Sequence, residues 1–335
     1  MTGPDLEARI RARIDGKTKP PGSLGRIESL AARIARLQDT VAPTMRTCEL
    51  TIFAADHGIA AEGVSAYPQE VTGQMLGNFL AGGAASTVFA ATLGIPVRVV
   101  DAGIAVDPPL VPRLLSRRIG PGTANFLREP AMTRSQLRHA LQLGEALGAD
   151  SDADAVVYGE MGIANTSSAA LIAHRLTGLD LATLTGRGTG LDDDGLARKR
   201  AVLTAASARV PGDLDAKDAL SQFGGFEIAM MAGAMIGAAK ARRLILVDGF
   251  IATAAALAAA AFSPGCRDAM VFAHVSAEAG HRPLLDHMGA EPLLSLGMRL
   301  GEGTGALMAW PMVRAAAAML NDMASFDDAG VSGPA

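Results

Sequence analysis

Two glutamates stand beside glycines in apolar surroundings, and each could act as a general base. Glu302 lies in the segment MRLGEGTGA, and Glu160 lies in YGEMG. A carboxylate held in an apolar loop has a raised pKa, which suits it to accept a proton near neutral pH. Most glutamates are exposed, so two solvated surface loops would explain the same letters. The pair is therefore a candidate catalytic set, with surface loops as the alternative.

Two glycine-rich turns could bind a phosphate. GRGTG (186–190) and GEGTG (301–305) alternate glycine with other residues, and Lys199 follows the first turn. Neither has the G-x-G-x-x-G spacing of a dinucleotide site, so a nicotinamide dinucleotide is not supported. Backbone amides of such turns bind anions where they face a helix N-terminus. We expect anion binding, with ordinary tight turns as the alternative.

The segment LILVDGFIATAAAL (244–257) predicts an apolar strand that ends at Asp248 and a helix of small residues after it. It loosely resembles the loop with which ordinary phosphoribosyltransferases bind a magnesium-chelated diphosphate donor. That loop carries two adjacent acids, and here Gly249 stands where the second acid would be. If the chain handles phosphoribose, we expect a donor without a diphosphate. A plain strand end followed by a helix explains the segment equally well.

Metal-ligand spacings are absent from the sequence. The six histidines form no i, i+4 pair, and no H-x-E or H-E-x-x-H motif occurs. The acidic run at 192–194 precedes GLARKRAVL, and acids at a helix N-terminus account for it. We therefore expect no metal and no cofactor.

The elements that must position these residues alternate between short apolar runs and long Ala/Leu-rich stretches. This alternation predicts an α/β fold with a doubly wound, Rossmann-like parallel sheet flanked by helices. The predicted strands are residues 48–55, 97–103, 153–160, 243–249 and 269–276, with a further short strand within 290–300. The predicted helices are residues 71–93, 134–147, 166–176, 226–241 and 310–326.

Polar residues follow each predicted strand, at the points where the strands end. Examples are Asp56, Asp101 and Ser276, besides Glu160 and Asp248. In an open parallel sheet, ligands bind in the crevice beyond the carboxyl ends of the strands. The candidate residues should therefore meet at one edge, although any single one could be a helix cap.

The two ends of the chain differ from its middle. LEARIRARI and LGRIESLAARIARLQ near the N-terminus are amphipathic and charged, and the C-terminal segment is one long predicted helix. We expect a large parallel α/β domain over residues 40–290. Residues 1–39 and 291–335 would together form a small, discontinuous helical domain.

Composition excludes several classes of protein. The chain has 335 residues, of which 49% are hydrophobic, and a net charge of −4, so it can bury a large core and offers no electrostatic case for nucleic acid. The apolar stretch at 244–262 contains Asp248 and is better explained by a strand and a helix than by a membrane span. Two cysteines can form at most one disulfide, which is too little to stabilise a fold of this size. The low cysteine count therefore favours a reducing compartment, the cytoplasm.

Together, these motifs closely resemble the nicotinate-nucleotide–dimethylbenzimidazole phosphoribosyltransferase family. The resemblance runs from about residue 17 to residue 326. The motifs that carry it occur in this order: KTKPPGSLGRIE, FAADHGIAAEGVSAYPQEVTGQM, YGEMGIANTSSAA, GRGTGLDDDGLARKR, FGGFEIAMMAGAMIGAA, LVDGFIATAAAL and MRLGEGTGA.

The resemblance implies a homodimeric enzyme that moves phosphoribose from nicotinate mononucleotide to dimethylbenzimidazole. Nicotinate leaves, and α-ribazole phosphate forms with inversion at the anomeric carbon. The resemblance implies that Glu302 is the catalytic base and that Glu160 is a second acid at the site. It implies base-binding residues, which are Tyr67, Gln74, Met161 and Leu300. Phosphate- and ribose-binding residues are expected to be Gly162, Lys199, Asp248, Gly249, Ser276, Gly301 and Gly303.

The residue types suit this chemistry without the resemblance. Nicotinate bound to ribose is a pyridinium, so it leaves as a neutral ring nitrogen without help from a metal. The incoming benzimidazole must lose a ring proton, which one positioned carboxylate can accept. Two alternatives stay open: a non-catalytic nucleotide-binding protein on the same fold, and an enzyme that uses adenine or a phenol as acceptor. Ala66 and Met161 depart from residues common in the family and leave the preferred base open.

Overall fold

A computed structural model describes residues 4–106 and 112–332 of the protein. Within those residues, six strands form one sheet: β1 (Cys48–Ala55), β2 (Val97–Gly103), β3 (Leu114–Ser116), β4 (Ala155–Met161), β5 (Leu244–Val247) and β6 (Met270–Phe272). Their order is β3-β2-β1-β4-β5-β6, and every neighbouring pair is parallel. The predicted doubly wound parallel sheet is confirmed. The direction of winding reverses between β1 and β4, which is where such sheets bind ligands.

Helices cover both faces of the sheet. They are α1 (Pro4–Asp15), α2 (Arg26–Gln38), α3 (Val71–Ala81), α4 (Ala85–Thr92), α5 (Arg134–Ala149), α6 (Asn165–Thr177), α7 (Leu181–Leu184), α8 (Asp193–Ala208), α9 (Ala216–Phe223), α10 (Phe226–Lys240), α11 (Phe250–Phe262), α12 (His281–His287), α13 (Thr304–Asp322) and α14 (Phe326–Ala329).

The strands are buried on both faces because each face carries its own hydrophobic cluster. Phe53 and Val156 belong to the cluster on the side of α5, α6, α10 and α11. Leu50 and Val157 belong to the cluster on the other side, with the helices from both chain ends. This arrangement explains the nearly continuous apolar runs of the strands.

Three secondary-structure predictions need correction, and one strand was missed. The predicted helix at 71–93 is two helices, because Gly82 ends α3 with a left-handed φ of 79°. Residues 290–300 form no strand and contribute a single bridge between Leu294 and His274. The three-residue strand β3 was not predicted, since so short a run has no readable pattern. The long C-terminal helix begins at Thr304 rather than at 310, and Pro311 lies inside it.

Helices from the two chain ends pack together on one face of the sheet. Ile10 and Leu30 from the N-terminal helices share a buried cluster with Trp310 and Leu320 of α13. The same cluster includes Leu50 of β1, so these helices also pack on the sheet. The division into a large and a small domain stays a prediction, and residues 1–3, 107–111 and 333–335 of the two predicted domains lie outside the described residues.

The apolar stretch at 244–262 is a strand followed by a helix, as predicted: β5 and α11. Among the described residues, no helix combines the length and the apolar character needed to cross a bilayer.

Candidate active site

A cavity of about 420 Å³ opens at the carboxyl ends of the central strands. Its walls come from the end of β4, from the loops after β5 and β6, and from the segment before α13. Nine of the predicted site residues line it: Tyr67, Glu160, Met161, Gly162, Gly249, Ser276, Leu300, Gly301 and Glu302. The sheet thus brings together residues that are far apart in the sequence, at the edge where they were expected to meet.

The segment 301–303 holds Glu302 in an unusual backbone conformation. Gly301, Glu302 and Gly303 have φ values of 84°, 60° and 81°, all in the left-handed region. A glutamate seldom adopts such a φ, so its surroundings must hold it there. The segment lies directly on β4, because a Cβ atom added to Gly159 would be 2.5 Å from the carbonyl carbon of Glu302. Gly159, next to Glu160, therefore lets β4 pack directly against the segment that carries Glu302.

Asp248 anchors this segment. Its Oδ2 accepts a hydrogen bond from the Gly303 amide at 3.1 Å, and its Oδ1 accepts one from the Ala306 amide at 3.0 Å. These are amides at the start of α13, which a carboxylate stabilises. Asp248 and Gly303 are not among the residues that line the cavity. The Gly303 amide already donates to Asp248, and its expected contact with a phosphate stays a prediction.

The Glu302 carboxylate is 5% exposed and faces the cavity. Ser86 Oγ donates a hydrogen bond to its Oε2 at 3.0 Å, which favours the ionised form. Burial outweighs this bond and raises the pKa of Glu302, and the negative charge of Asp248 adds to the rise. Such a carboxylate accepts a proton more readily than an exposed one.

Glu160 lies beside Glu302 and is nearly as buried. Its Oε2 accepts a hydrogen bond from Asn165 Nδ2 at 2.5 Å, and its Oε1 accepts a longer one, 3.4 Å, from the Glu302 amide. Burial raises the pKa of Glu160 well above its usual range, and the negative charges of Asp248 and Glu227 raise it further. We call Glu160 and Glu302 the acid end of the cavity.

A buried cation, Lys199 of α8, lies near the same cavity. The side chain is 1% exposed, and Nζ donates hydrogen bonds to Thr166 Oγ1 at 2.8 Å and to the Gly186 carbonyl at 3.2 Å. Burial lowers the pKa of Lys199 to about 8, and the charge of Glu278 opposes that change. Lys199 lies just behind the wall, because a Cβ atom on Gly188, which lines the cavity, would be 3.3 Å from Nζ.

Ser276 and Glu278, in the loop after β6, line the cavity, and Glu278 is near enough to Lys199 for its charge to affect the pKa of the lysine. The Ser276 amide donates to His281 Nδ1 at 2.8 Å, and Ser276 Oγ accepts a hydrogen bond from the Glu278 amide at 3.2 Å. We call Lys199, Gly188, Thr166, Ser276 and Glu278 the lysine end of the cavity.

The predicted acidic helix start is confirmed in α8. Asp192 is its N-cap, and its side chain accepts a hydrogen bond from the Gly195 amide at 2.8 Å. Across the described residues, no group of three or more His, Cys, Asp or Glu side chains is placed to hold a metal ion.

The expected base-binding residues are placed unequally. Tyr67, Met161 and Leu300 line the cavity, whereas Gln74 is exposed on α3 and is not among the lining residues. Helical geometry explains this, since Val71 and Met75, on the neighbouring face of α3, line the cavity instead. Tyr67 and Leu300 are 54% and 57% exposed, so the mouth of the cavity is apolar and open.

Gly162 lies where the loop after β4 packs tightly against the end of β1. A Cβ atom there would be 2.5 Å from the Ala55 carbonyl oxygen and 3.1 Å from His57 Nε2. The His57 ring is fully buried, with Nε2 at 2.6 Å from Glu227 Oε1 and Nδ1 at 3.0 Å from Ser168 Oγ. This pair supports the loop after β4 from behind.

Sequence reasoning missed several residues of the site, among them four whose polar groups bond the acids, Lys199 or the glycine turn: Ser86, Asn165, Thr166 and Glu278. Asn165 and Thr166 stand within the motif YGEMGIANTSSAA, so their proximity to Glu160 could have been predicted from the chain. Ser86 has no such signal, because its contact with Glu302 joins residues 216 positions apart.

A family model described as "Phosphoribosyltransferase" matches residues 2–331 of the chain. The chain is 53% identical over 334 residues to a nicotinate-nucleotide–dimethylbenzimidazole phosphoribosyltransferase of Aromatoleum aromaticum, covering 99% of this chain and 97% of that protein. It is 54% identical over 330 residues to a protein of the same name from Cupriavidus necator, covering 98% and 95%. A crystal structure of CobT from Thermus thermophilus matches with a TM-score of 0.95 at 43% identity, covering 99% of this chain and all of that one.

Proposed function

The chain belongs to the phosphoribosyltransferase family whose model spans residues 2–331, and we propose that it moves phosphoribose from nicotinate mononucleotide to dimethylbenzimidazole. The products are nicotinate and α-ribazole 5′-phosphate, with the anomeric carbon inverted. The names of its relatives from Aromatoleum aromaticum and Cupriavidus necator support the same substrates.

One observation carries the proposal: two buried acids lie in the wall of the cavity, and a buried lysine lies just behind another part of that wall. The acids, Glu160 and Glu302, both have a raised pKa, and apolar side chains lie next to them in the wall. A flat, neutral base that must lose a proton fits the acid end. An anionic phosphate fits the lysine end.

In the proposed reaction, a ring nitrogen of the benzimidazole attacks C1′ of the donor from the face opposite nicotinate. The bond between C1′ and the pyridinium nitrogen breaks, and its electron pair stays on that nitrogen, so the ring leaves uncharged at nitrogen. The second nitrogen of the benzimidazole gives its proton to Glu302. Glu160, when ionised, stabilises the positive charge that develops on the ribose.

We propose binding roles for the remaining residues on the same basis. Tyr67, Met161 and Leu300 hold the acceptor ring, and Gln74, exposed on α3, is the fourth residue that we expect to bind it. Lys199, Ser276 and the Gly162 amide hold the phosphate, while Gly249 and Gly301 leave room for the ribose. Asp248 and Gly303, which bond each other, position Glu302 rather than the substrate.

The test is to incubate the protein with nicotinate mononucleotide and dimethylbenzimidazole and to measure released nicotinate. We expect release that depends on the acceptor, with α-ribazole phosphate identified by mass spectrometry. Binding of the donor without release would favour the non-catalytic alternative. Competition among dimethylbenzimidazole, adenine and a phenol in one reaction identifies the preferred acceptor.

We also propose that the protein works as a homodimer in the cytoplasm. The exposed apolar side chains at the mouth, Tyr67 and Leu300, are surface that a second subunit would cover. Cys48 and Cys266 are both free and buried, as suits a reducing compartment. Light scattering coupled to gel filtration measures the subunit number directly.

A further inference from the structure

The lysine end of the cavity contains a carboxylate that the proposed reaction does not use. Glu278 is 9% exposed and lines the cavity, among groups suited to a phosphate. Its Oε1 accepts a hydrogen bond from the Gly188 amide at 3.2 Å. The same oxygen packs closely against Gly186 of the turn GRGTG, because a Cβ atom added to Gly186 would be only 2.0 Å from it. The carboxylate of Glu278 thus already accepts a hydrogen bond from a backbone amide of the turn that was expected to bind an anion.

The turn is held from both sides at Gly188. Glu278 bonds its amide, and Arg299 Nη1 donates to its carbonyl at 3.2 Å. Lys199 approaches the same residue from behind the wall. If the carboxylate leaves, the amide becomes free while Arg299 still holds the turn in place.

A bound phosphate and the Glu278 carboxylate would compete for the same donors. Both are anionic, and the dianion of a phosphate monoester, like a carboxylate, only accepts hydrogen bonds, so at a separation of a few ångströms in a partly buried site the two repel strongly. The buried cation Lys199 supplies one positive charge near the turn and Arg299 supplies another, and in the absence of a ligand the charge of Glu278 opposes that of Lys199. A phosphate monoester has three terminal oxygens, so it gains more hydrogen bonds from these donors than a carboxylate does.

We propose that Glu278 is a stand-in anion at the lysine end, and that the donor phosphate displaces it from the Gly188 amide. This inference rests on the proposed function for the identity of the donor. It makes Glu278 a specificity-determining residue: an incoming anion binds only if it makes better contacts than the carboxylate that it replaces. A carboxylate ligand gains nothing from the exchange, whereas a phosphate monoester does.

Glu278→Gln tests the proposal, because it keeps the size of the side chain and removes its charge. We expect inorganic phosphate and nicotinate mononucleotide to bind this variant about tenfold more tightly by calorimetry, since no charge competes with them. Glu129→Gln is the matched control, an exposed glutamate outside the cavity lining that should leave both affinities unchanged. Equal or weaker phosphate binding by Glu278→Gln would overturn the proposal.

A second measurement needs no variant. In a crystal structure of the unaltered protein with inorganic phosphate, we expect a phosphate oxygen on the Gly188 amide and the Glu278 carboxylate turned away. Phosphate bound elsewhere, with Glu278 still on Gly188, would contradict the inference. Neither measurement depends on turnover. Failure to release nicotinate would overturn the proposed function alone, and unchanged phosphate affinity in Glu278→Gln would overturn this inference alone.

Discussion

The acid end and the lysine end of the cavity lie at the same edge of the sheet, and both bury charged groups. At the acid end, Glu160 and Glu302 lie together, their hydrogen-bond partners are neutral, and the pKa of each is raised. At the lysine end, burial lowers the pKa of Lys199 to about 8, and the negative charge of Glu278 opposes that change without cancelling it. Burial is the largest cause of the pKa shift in both places, and the neighbouring charges add to it at the acid end and oppose it at the lysine end.

This difference suits the two ends to different tasks. An acid that is held without a cation keeps its affinity for protons, which a base needs when its substrate is neutral. A lysine that is balanced by a movable carboxylate can exchange one anion for another. The four predictions that follow test this division, and they run from the largest expected effect to the smallest.

Glu302→Gln should have the largest effect. It preserves the shape of the acid end and removes the oxygen that accepts the proton, so kcat should fall roughly a hundredfold or more. The affinity for nicotinate mononucleotide should change little, because the donor phosphate binds at the other end. Steady-state kinetics and donor titration measure the two quantities separately. Near-normal turnover would show that the acid end does not supply the base.

Gly159→Ala tests whether catalysis depends on the position of Glu302, because it leaves both carboxylates in the chain. The added Cβ would lie 2.5 Å from the carbonyl carbon of Glu302, so the segment 301–303 must move while both carboxylates remain. We expect kcat to fall by about ten- to a hundredfold, since small displacements of a catalytic group are costly.

The matched control is Gly77→Ala, where an added Cβ meets no atom within 4 Å. It should leave kcat unchanged. If Gly159→Ala also keeps full activity in a folded protein, the close contact between β4 and Glu302 does not matter for catalysis.

Lys199 should control donor affinity, with a dependence on pH that the acid end does not share. Because the pKa of Lys199 is about 8, the side chain is a cation below that pH and becomes neutral above it. The KM for nicotinate mononucleotide should therefore rise as the pH passes through about 8, while the KM for dimethylbenzimidazole stays constant. Lys199→Met should raise the donor KM about tenfold at pH 7 and remove the rise with pH.

Lys240→Met is the control, since Lys240 forms an exposed ion pair with Glu145 on the surface. It should change neither KM. Equal weakening of donor and acceptor in Lys199→Met would mean that the lysine supports the fold instead of the phosphate.

Ser86→Ala should have the smallest effect, confined to the acid limb of the pH profile. The base must be ionised, so kcat falls as the pH drops through the pKa of Glu302, which burial raises above the usual carboxyl value. Ser86 stabilises the ionised form by donating to Oε2. Its removal should raise that pKa further and move the acid limb to higher pH by about one unit or less. The plateau at high pH should not change, and a shift toward lower pH would contradict the assignment.

The sequence alone was sufficient to predict the class of fold and the edge at which the site forms. Buried parallel strands have apolar side chains on both faces, so their runs are visible without any knowledge of their neighbours. Their carboxyl ends must meet at one edge, and therefore Glu160, Gly249 and Ser276 were expected near one another. The glycines around Glu302 likewise indicated a tight turn.

Other features depend on contacts between segments that are distant in the chain. The hydrogen bond from Ser86 to Glu302, the contact of Gly159 with the segment 301–303, and the bond from Gly303 to Asp248 have no local signature. The same holds for Gln74, whose exposure depends on which face of α3 meets the cavity. The spacing of apolar residues along a helix indicates only which side chains face the core.

The residue types, the strand pattern and the glycine turns thus determined which groups could react and at which edge of the sheet. Only the tertiary structure decided the state of those groups. The pKa of such a carboxylate or lysine depends first on its burial and then on the charges and hydrogen bonds around it. Packing alone buries Glu302 and Lys199 and brings Asp248 and Glu278 near them.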